Sequence, residues 1–462
     1  MKNSELFKNE ADFADFDGDS AVSHLSEAIR FETTSYVDTS KIRYENFSAF
    51  HAFLKKSYPN VFEKCVCEKV GYSLLITVPG TDKSLKPALF MAHQDVVPVI
   101  AGTEKDWLHA PFSGDVADGF IWGRGAMDIK QMLIGILEAA EYYLRSGKSF
   151  RRTVYLAFGE DEETRSTGAI AISELLLSRG VELEFVLDEG AGDVIEASDY
   201  GAPGVYVCPI GIYEKGYADL KLSVGSRGGH SSNPFNGTSL GVLAKAITAI
   251  TENPLPPHLS ESLKRTFLQL LPDITTEPMA TYVSAIDKYT ENILQWCLSR
   301  ESLYHQVQTT IAPTQITPGA PAGNVMPQDM AAVINFRLAP PDTPESLLAH
   351  FEKFVDPSVK MEFVQKIEPS VPSEIDSYGF SSLKKVLEHY FDKLKFIPAQ
   401  NRGATDARNY EKICRCCLRF GPFLEEEDIS AEGIHGTNER ISVRAYLQGI
   451  RVILKLMEET CL

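Results

Sequence analysis

Apolar residues recur along this chain with two different periods, and the change between them divides it. Ala21, Leu25 and Ile29 share one face of a helix expected over residues 21–31, and Phe47 to Leu54 starts another. Val70–Val78 and Ala88–Ala92 read as strands. The second is apolar almost throughout, as a strand buried on both faces of a parallel sheet should be. A helix over Gln131–Leu144, a strand over Thr153–Phe158, a helix over Ala169–Ser178 and a short strand over Phe185–Leu187 follow. Strands alternating with helices predict an α/β fold with a mostly parallel sheet.

From about Tyr213 the texture changes. Ala218, Leu220, Leu222 and Val224 alternate with Tyr217, Asp219, Lys221 and Ser223, as in a half-buried antiparallel strand. A Gly-rich loop, a helix over Ser239–Ile250, an alternating strand over Met330–Leu338 and a helix over Pro344–Phe354 complete an α+β module. Then come a helix over Ser382–Phe391, a strand over Cys414–Phe420 and a final helix over Val443–Met457. The expected organisation is an α/β domain made of residues 1–212 and 369–462, interrupted by an inserted domain of residues 213–368.

A chain of 462 residues is long enough for two or three domains. With 44% hydrophobic and 23% charged residues it is globular. Its net charge of -18 argues against nucleic acid as a partner, because phosphate binding needs clustered Lys and Arg. The N-terminus shows no apolar signal segment, and no apolar run reaches the roughly 18 residues of a membrane span, so a cytoplasmic location without membrane contact is the default expectation. The eight cysteines are expected to be free thiols, and Cys414, Cys416 and Cys417 to serve as small apolar residues of a strand.

The candidate chemistry lies just after the expected strand ends. His93 and Asp95 follow one strand, Asp161-Glu162-Glu163 another, and Asp188 a third. Asp128 closes Gly123-Arg124-Gly125-Ala126-Met127 ahead of a helix, and His435 stands far away in a polar loop. Each residue has an ordinary reading. A lone His after a strand is more often structural, an Asp before a helix is an ordinary N-cap, and an acidic run is usually solvated. Together they form a set of imidazoles and carboxylates suited to zinc, at the sheet edge where open α/β folds bind ligands.

The same residues, with Trp107, Pro111-Phe112-Ser113-Gly114, Glu214-Lys215-Gly216-Tyr217, Gly228-Gly229-His230-Ser231-Ser232, Asn324-Val325-Met326-Pro327, Asn335-Phe336-Arg337 and His435-Gly436-Thr437-Asn438-Glu439, carry a resemblance from about residue 45 to the C-terminus. The chain resembles the co-catalytic zinc peptidases and amidohydrolases that include carboxypeptidase S, aminoacylase and succinyl-diaminopimelate desuccinylase, above all the carboxypeptidase S and N-acyl-amino-acid hydrolase branch. The resemblance implies a discontinuous zinc-peptidase catalytic domain with an inserted lid, which in the family often forms a homodimer. It implies two zinc ions, for which cobalt or manganese can substitute. His93 and Asp188 would hold one ion, Glu163 and His435 the other, and Asp128 would bridge them. Asp95 would orient His93, Glu162 would be the general base, His230 would polarise the scissile carbonyl, and Arg337 and Asn324 would hold a substrate carboxylate. The implied activity is hydrolysis of the amide beside a free carboxylate in small peptides, with N-acyl amino acids as the alternative substrates. Ile129, where Asp is commoner, and Asn409, where His is expected, depart from the pattern.

Overall fold

Three neighbouring parallel strands, Val154–Gly159, Ala88–His93 and Phe185–Asp188, form the centre of a nine-stranded sheet. Their registers, His93 opposite Gly159 and Phe90 opposite Leu187, bring the three C-terminal ends to one edge. The computed structural model describes residues 7–190, 192–234, 237–317, 319–401, 403–425 and 433–462. The chain divides into two compact units: Met1–Glu196, Val205–Tyr213 and Pro372–Leu462 form one, and Ala197–Gly204 with Glu214–Val371 the other.

In the first unit Cys417–Arg419 extends the sheet in parallel beside Phe185–Asp188. The sheet then becomes antiparallel on both sides, through Ser73–Val78 at one and Tyr206–Glu214 at the other. Leu89, Phe90, Leu156, Val186 and Leu418 are almost completely buried, which explains the unbroken apolar runs. The helix Lys130–Arg145 packs on Ala88–His93 and on the last helix, Val443–Cys461. Tyr143 Oη donates to the Leu454 carbonyl at 2.8 Å, and Arg152 Nε to that of Thr460 at 2.9 Å, so the C-terminal helix is tied into the core.

Two expected strands are corrected. The run Val70–Val78 is not one strand: Val66–Val70 and Ser73–Val78 make a hairpin that turns at Gly71 and Tyr72. Gly71 has φ +67°, a conformation open to glycine at little cost, and it places the turn inside an otherwise strand-like run. The expected strand Cys414–Phe420 is reduced to Cys417–Arg419, with Cys414 joined to Leu183 by an isolated bridge. Cys414, Cys416 and Cys417 are buried free thiols.

The second unit carries a four-stranded antiparallel sheet in the order Thr310–Ile316, Asp329–Leu338, Gly216–Gly225, Lys360–Ile367. Leu220, Leu222, Ile334 and Phe336 form a core with Leu243 of helix Ser239–Glu252 and with Leu347 and Phe351 of helix Pro344–Phe351. Four helices between Glu261 and Val307, and the strands Thr310–Ile316 and Lys360–Ile367, were not legible as periodic segments.

The loop that leads to Asp128 is shaped by Gly125, at φ +89°, where an added Cβ would lie 2.8 Å from Val96 Cγ1. Gly125→Ala is therefore expected to lower stability by about 1–3 kcal/mol in a denaturant titration. An unchanged midpoint would show that this loop can relax.

Candidate metal centre

The three strand ends supply most of the site. His93 is the last residue of Ala88–His93, Glu162 and Glu163 follow Val154–Gly159, and Glu189 follows Phe185–Asp188. Asp128 comes from the Gly-rich loop, and His435 from a turn near the C-terminus, with φ +59°. Asp128 lies between the two imidazoles. Its Oδ1 is 3.1 Å from His93 Nε2, and its Oδ2 is 3.0 Å from His435 Nε2. Glu189 Oε1 is 3.4 Å from His93 Nε2, and Glu163 Oε2 is 3.1 Å from His435 Nε2. The result is two groups, His93–Asp128–Glu189 and Asp128–Glu163–His435, each with ligand atoms within 4.8 Å of one another.

The ordinary cap reading of Asp128 fails. The N-cap of the following helix is Ile129, with no side-chain capping bond, so the Asp128 carboxylate is free to face both imidazoles.

Asp188, expected as a ligand, is placed differently from the others. Asp188 belongs to neither group. Its Oδ1 accepts from the Glu189 N–H at 2.9 Å and its Oδ2 from the Ala407 N–H at 2.8 Å, so both oxygens are engaged by backbone. Glu189, in the bend just past the strand, is the residue whose carboxylate faces His93.

Asp95 supports the cluster from beneath. It is fully buried. His93 Nδ1 donates to the Asp95 carbonyl at 2.9 Å and lies 3.3 Å from its carboxylate, leaving Nε2 directed at Asp128 and Glu189. The N–H groups of Glu162 and Glu163 donate to the two Asp95 oxygens at 3.1 and 3.2 Å, and the Ser35 hydroxyl adds a bond of 2.5 Å.

Burial opposes charge on Asp128, yet hydrogen bonds from His435 and His93 hold its carboxyl below the usual range. Hydrogen bonds to Asp128 and Glu163 push His435 up to about 10. Burial and the neighbouring Glu189 raise Glu162 well above the usual carboxylate range, and burial takes Glu189 to about 8. Glu163 Oε1 is buried without any hydrogen-bond partner. Carboxylates gathered this closely repel one another, and an unpartnered buried oxygen is costly. A cation answers both conditions, so the residues present fit a metal.

The remaining expected site residues belong to the second unit. His230, on the short strand Gly229–His230, pairs with Val325, and the N–H of Ser231 donates to the Asn324 carbonyl at 3.0 Å, which brings His230 and Asn324 together. Arg337 is exposed on its strand, its guanidinium 4.9 Å from the Tyr217 ring centroid. Asn409 lines a surface pocket with Glu174 and Lys412. Sequence reading named Glu189 without a role and missed Ser35, which sits in no motif. It named Glu439 without a role.

Residues 89–459 match peptidase family M20/M25/M40. The chain is 34% identical over 444 residues to a Danio rerio protein named N-fatty-acyl-amino acid synthase/hydrolase PM20D1.1, covering 94% of this chain and 84% of that one. It is 33% identical over 446 residues to a Dictyostelium discoideum protein named probable carboxypeptidase S-like 2, with the same coverage of 94% and 84%. Among solved structures, the M20 family metallo-carboxypeptidase Sso-CP2 from Sulfolobus solfataricus superposes with a TM-score of 0.63 at 19% identity, covering 95% of this chain and 98% of that one. Human carnosine dipeptidase 1 gives a TM-score of 0.60 at 16% identity, covering 97% of each chain. A strand-end cluster of imidazoles and carboxylates, in a chain matched along most of its length, makes this protein a member of peptidase family M20/M25/M40, a family of metal-dependent hydrolases.

Proposed function

We propose that this chain hydrolyses the amide bond beside a free carboxylate in small peptides, as a carboxypeptidase or dipeptidase, with a pair of zinc ions. The observation that carries the proposal is the placement of Asp128 between two imidazoles, each with its own Glu. His93, Asp128 and Glu189 would hold one ion and Asp128, Glu163 and His435 the other, with Glu189 taking the role first expected of Asp188. A zinc pair supplies Lewis acidity, acidifying water and polarising the scissile carbonyl.

The protein's own groups do the rest. Glu162 takes the proton of the attacking water and returns it to the leaving amine. Asp95 sets the direction of His93 through its ring and, through the backbone of Glu162 and Glu163, the direction of those two side chains. On the family pattern His230 assists polarisation of the carbonyl, while Arg337 and Asn324 hold the carboxylate end, for which a guanidinium fork is well shaped.

A second reading, hydrolysis of N-acyl amino acids, is favoured by the name of the 34% identical relative. Both substrate classes present an amide next to a carboxylate, and the same residues would serve either.

Three outcomes are expected. Glu162→Gln retains its metal but loses about 10²–10⁴-fold in kcat, the usual share of a general base, whereas Glu189→Gln loses metal. Metal analysis beside steady-state kinetics separates the two, and full activity in Glu162→Gln would remove that residue as base.

Metal uptake is coupled to protons. His435 keeps its proton up to about pH 10 in the metal-free protein and must release it to become a ligand. Affinity should thus strengthen as pH rises through the neutral range. Calorimetry in buffers of different ionisation heat should show net proton release, and a buffer-independent heat would contradict the assignment.

Finally, dipeptides and short- and long-chain N-acyl amino acids in one mass-spectrometric competition should show chelator-sensitive release. Preference for dipeptides supports the peptidase reading, preference for acyl substrates the second, and no turnover of either refutes both.

A further inference from the structure

We infer that Glu439 and Arg124 form a clamp that positions Asp128 and His435, and so govern occupancy of the Asp128–Glu163–His435 metal position. The inference rests on the proposed metal pair and names residues to which no role has been given.

The clamp joins two loops more than three hundred residues apart in sequence. Glu439 is fully buried. Its Oε1 accepts from the N–H groups of Gly125, Met127 and Asp128 at 2.9, 2.9 and 3.1 Å, so the backbone of the first loop is wrapped around one carboxylate oxygen. Its Oε2 accepts from Arg124 Nη1 at 2.6 Å, and its main-chain carbonyl from the Gly123 N–H at 2.8 Å. Arg124, itself buried, donates through Nη2 to the carbonyl of Gly436 at 2.8 Å, one residue beyond His435. The carboxylate therefore holds the loop carrying Asp128, and the guanidinium holds the loop carrying His435.

The two metal positions depend on this clamp unequally. His93 and Glu189 stand at the ends of paired strands, and His93 is steered by Asp95. His435 has a positive φ and a side chain about half exposed, 54%. A ligand at a strand end keeps its place through sheet pairing, whereas a ligand on a turn keeps its place through whatever anchors the turn. Asn438 adds a tie, its Oδ1 accepting from the Leu108 N–H at 2.6 Å, but that bond fixes the far side of the turn. The Arg124 bond adjoins the ligand itself. Polar groups that hold a metal's ligands commonly affect affinity by 10–100-fold.

The test compares wild type with Glu439→Gln and Arg124→Lys. Glutamine offers one acceptor to donors that now meet a carboxylate, and its amide N–H₂ cannot accept. Lysine keeps the charge but cannot span the Glu439 carboxylate and the Gly436 carbonyl at once. Metal-free proteins are reloaded with zinc, dialysed at fixed free zinc, and assayed for bound zinc by elemental analysis, with circular dichroism melts alongside. Wild type should hold a pair. Each variant should hold about one ion, bind the second about 10–100-fold more weakly, and recover kcat at raised zinc. If Glu439→Gln fails to fold, Arg124→Lys carries the test, since it leaves the carboxylate and its backbone bonds in place. Variants that keep the pair and merely melt lower would overturn the clamp while leaving the metal reading intact. A wild type that never holds a pair would sink the metal reading and the clamp with it.

Discussion

Asp95 is a buried negative charge that the fold must satisfy, and much of the site follows from how it does so. A carboxylate out of water needs donors. Here they come from the Ser35 hydroxyl, from the N–H groups of Glu162 and Glu163, and from the His93 ring close by. Satisfying this one group fixes the N-terminal segment against the sheet, selects the ring nitrogen that His93 presents, and orients the turn bearing the proposed base. A residue at position 95 with no side-chain acceptor would leave Ser35 and the N–H groups of Glu162 and Glu163 without their common partner.

The sheet makes this arrangement reachable. Parallel neighbours end at the same edge, so three short segments that are distant in sequence deliver their next residues to one place. This also explains why so much of the site was legible. His93 and Glu163 could be picked out because each stands at or just past the end of a plain strand run, and their side chains lie near Asp128 and His435. The position of Glu189 beside His93 was not legible, because it lies in the bend just past a four-residue strand.

Other failures have similarly local causes. Val70–Val78 contains nothing outwardly turn-like except Gly71, and Tyr72 and Ser73 are compatible with a strand. Cys414–Phe420 is mostly buried, but only Cys417–Arg419 runs as a strand, with Cys414 held by an isolated bridge. The helices between Glu261 and Val307 are short, 6 to 10 residues, too short for a period to declare itself in sequence. Ser35 lies in a polar stretch with no periodic or motif signal, and its role exists only once the sheet has brought Asp95 beside it. The two-period division of the sequence, by contrast, reflects a real difference between a sheet buried on both faces and an antiparallel sheet with alternating burial.

The C-terminal helix closes the first unit, and its residues bond to groups on the helix Lys130–Arg145 and to Arg152, some three hundred positions earlier. This has a consequence for the order of events as the chain leaves the ribosome. Most of the second unit is one continuous stretch, Glu214–Val371, with its own core, and it can collapse while synthesis continues. The first unit must instead keep its earlier strands waiting, apolar and incompletely covered, until the helix Val443–Cys461 emerges. The nascent chain is therefore most exposed to aggregation before that helix is made, in the unit that carries the proposed metal centre.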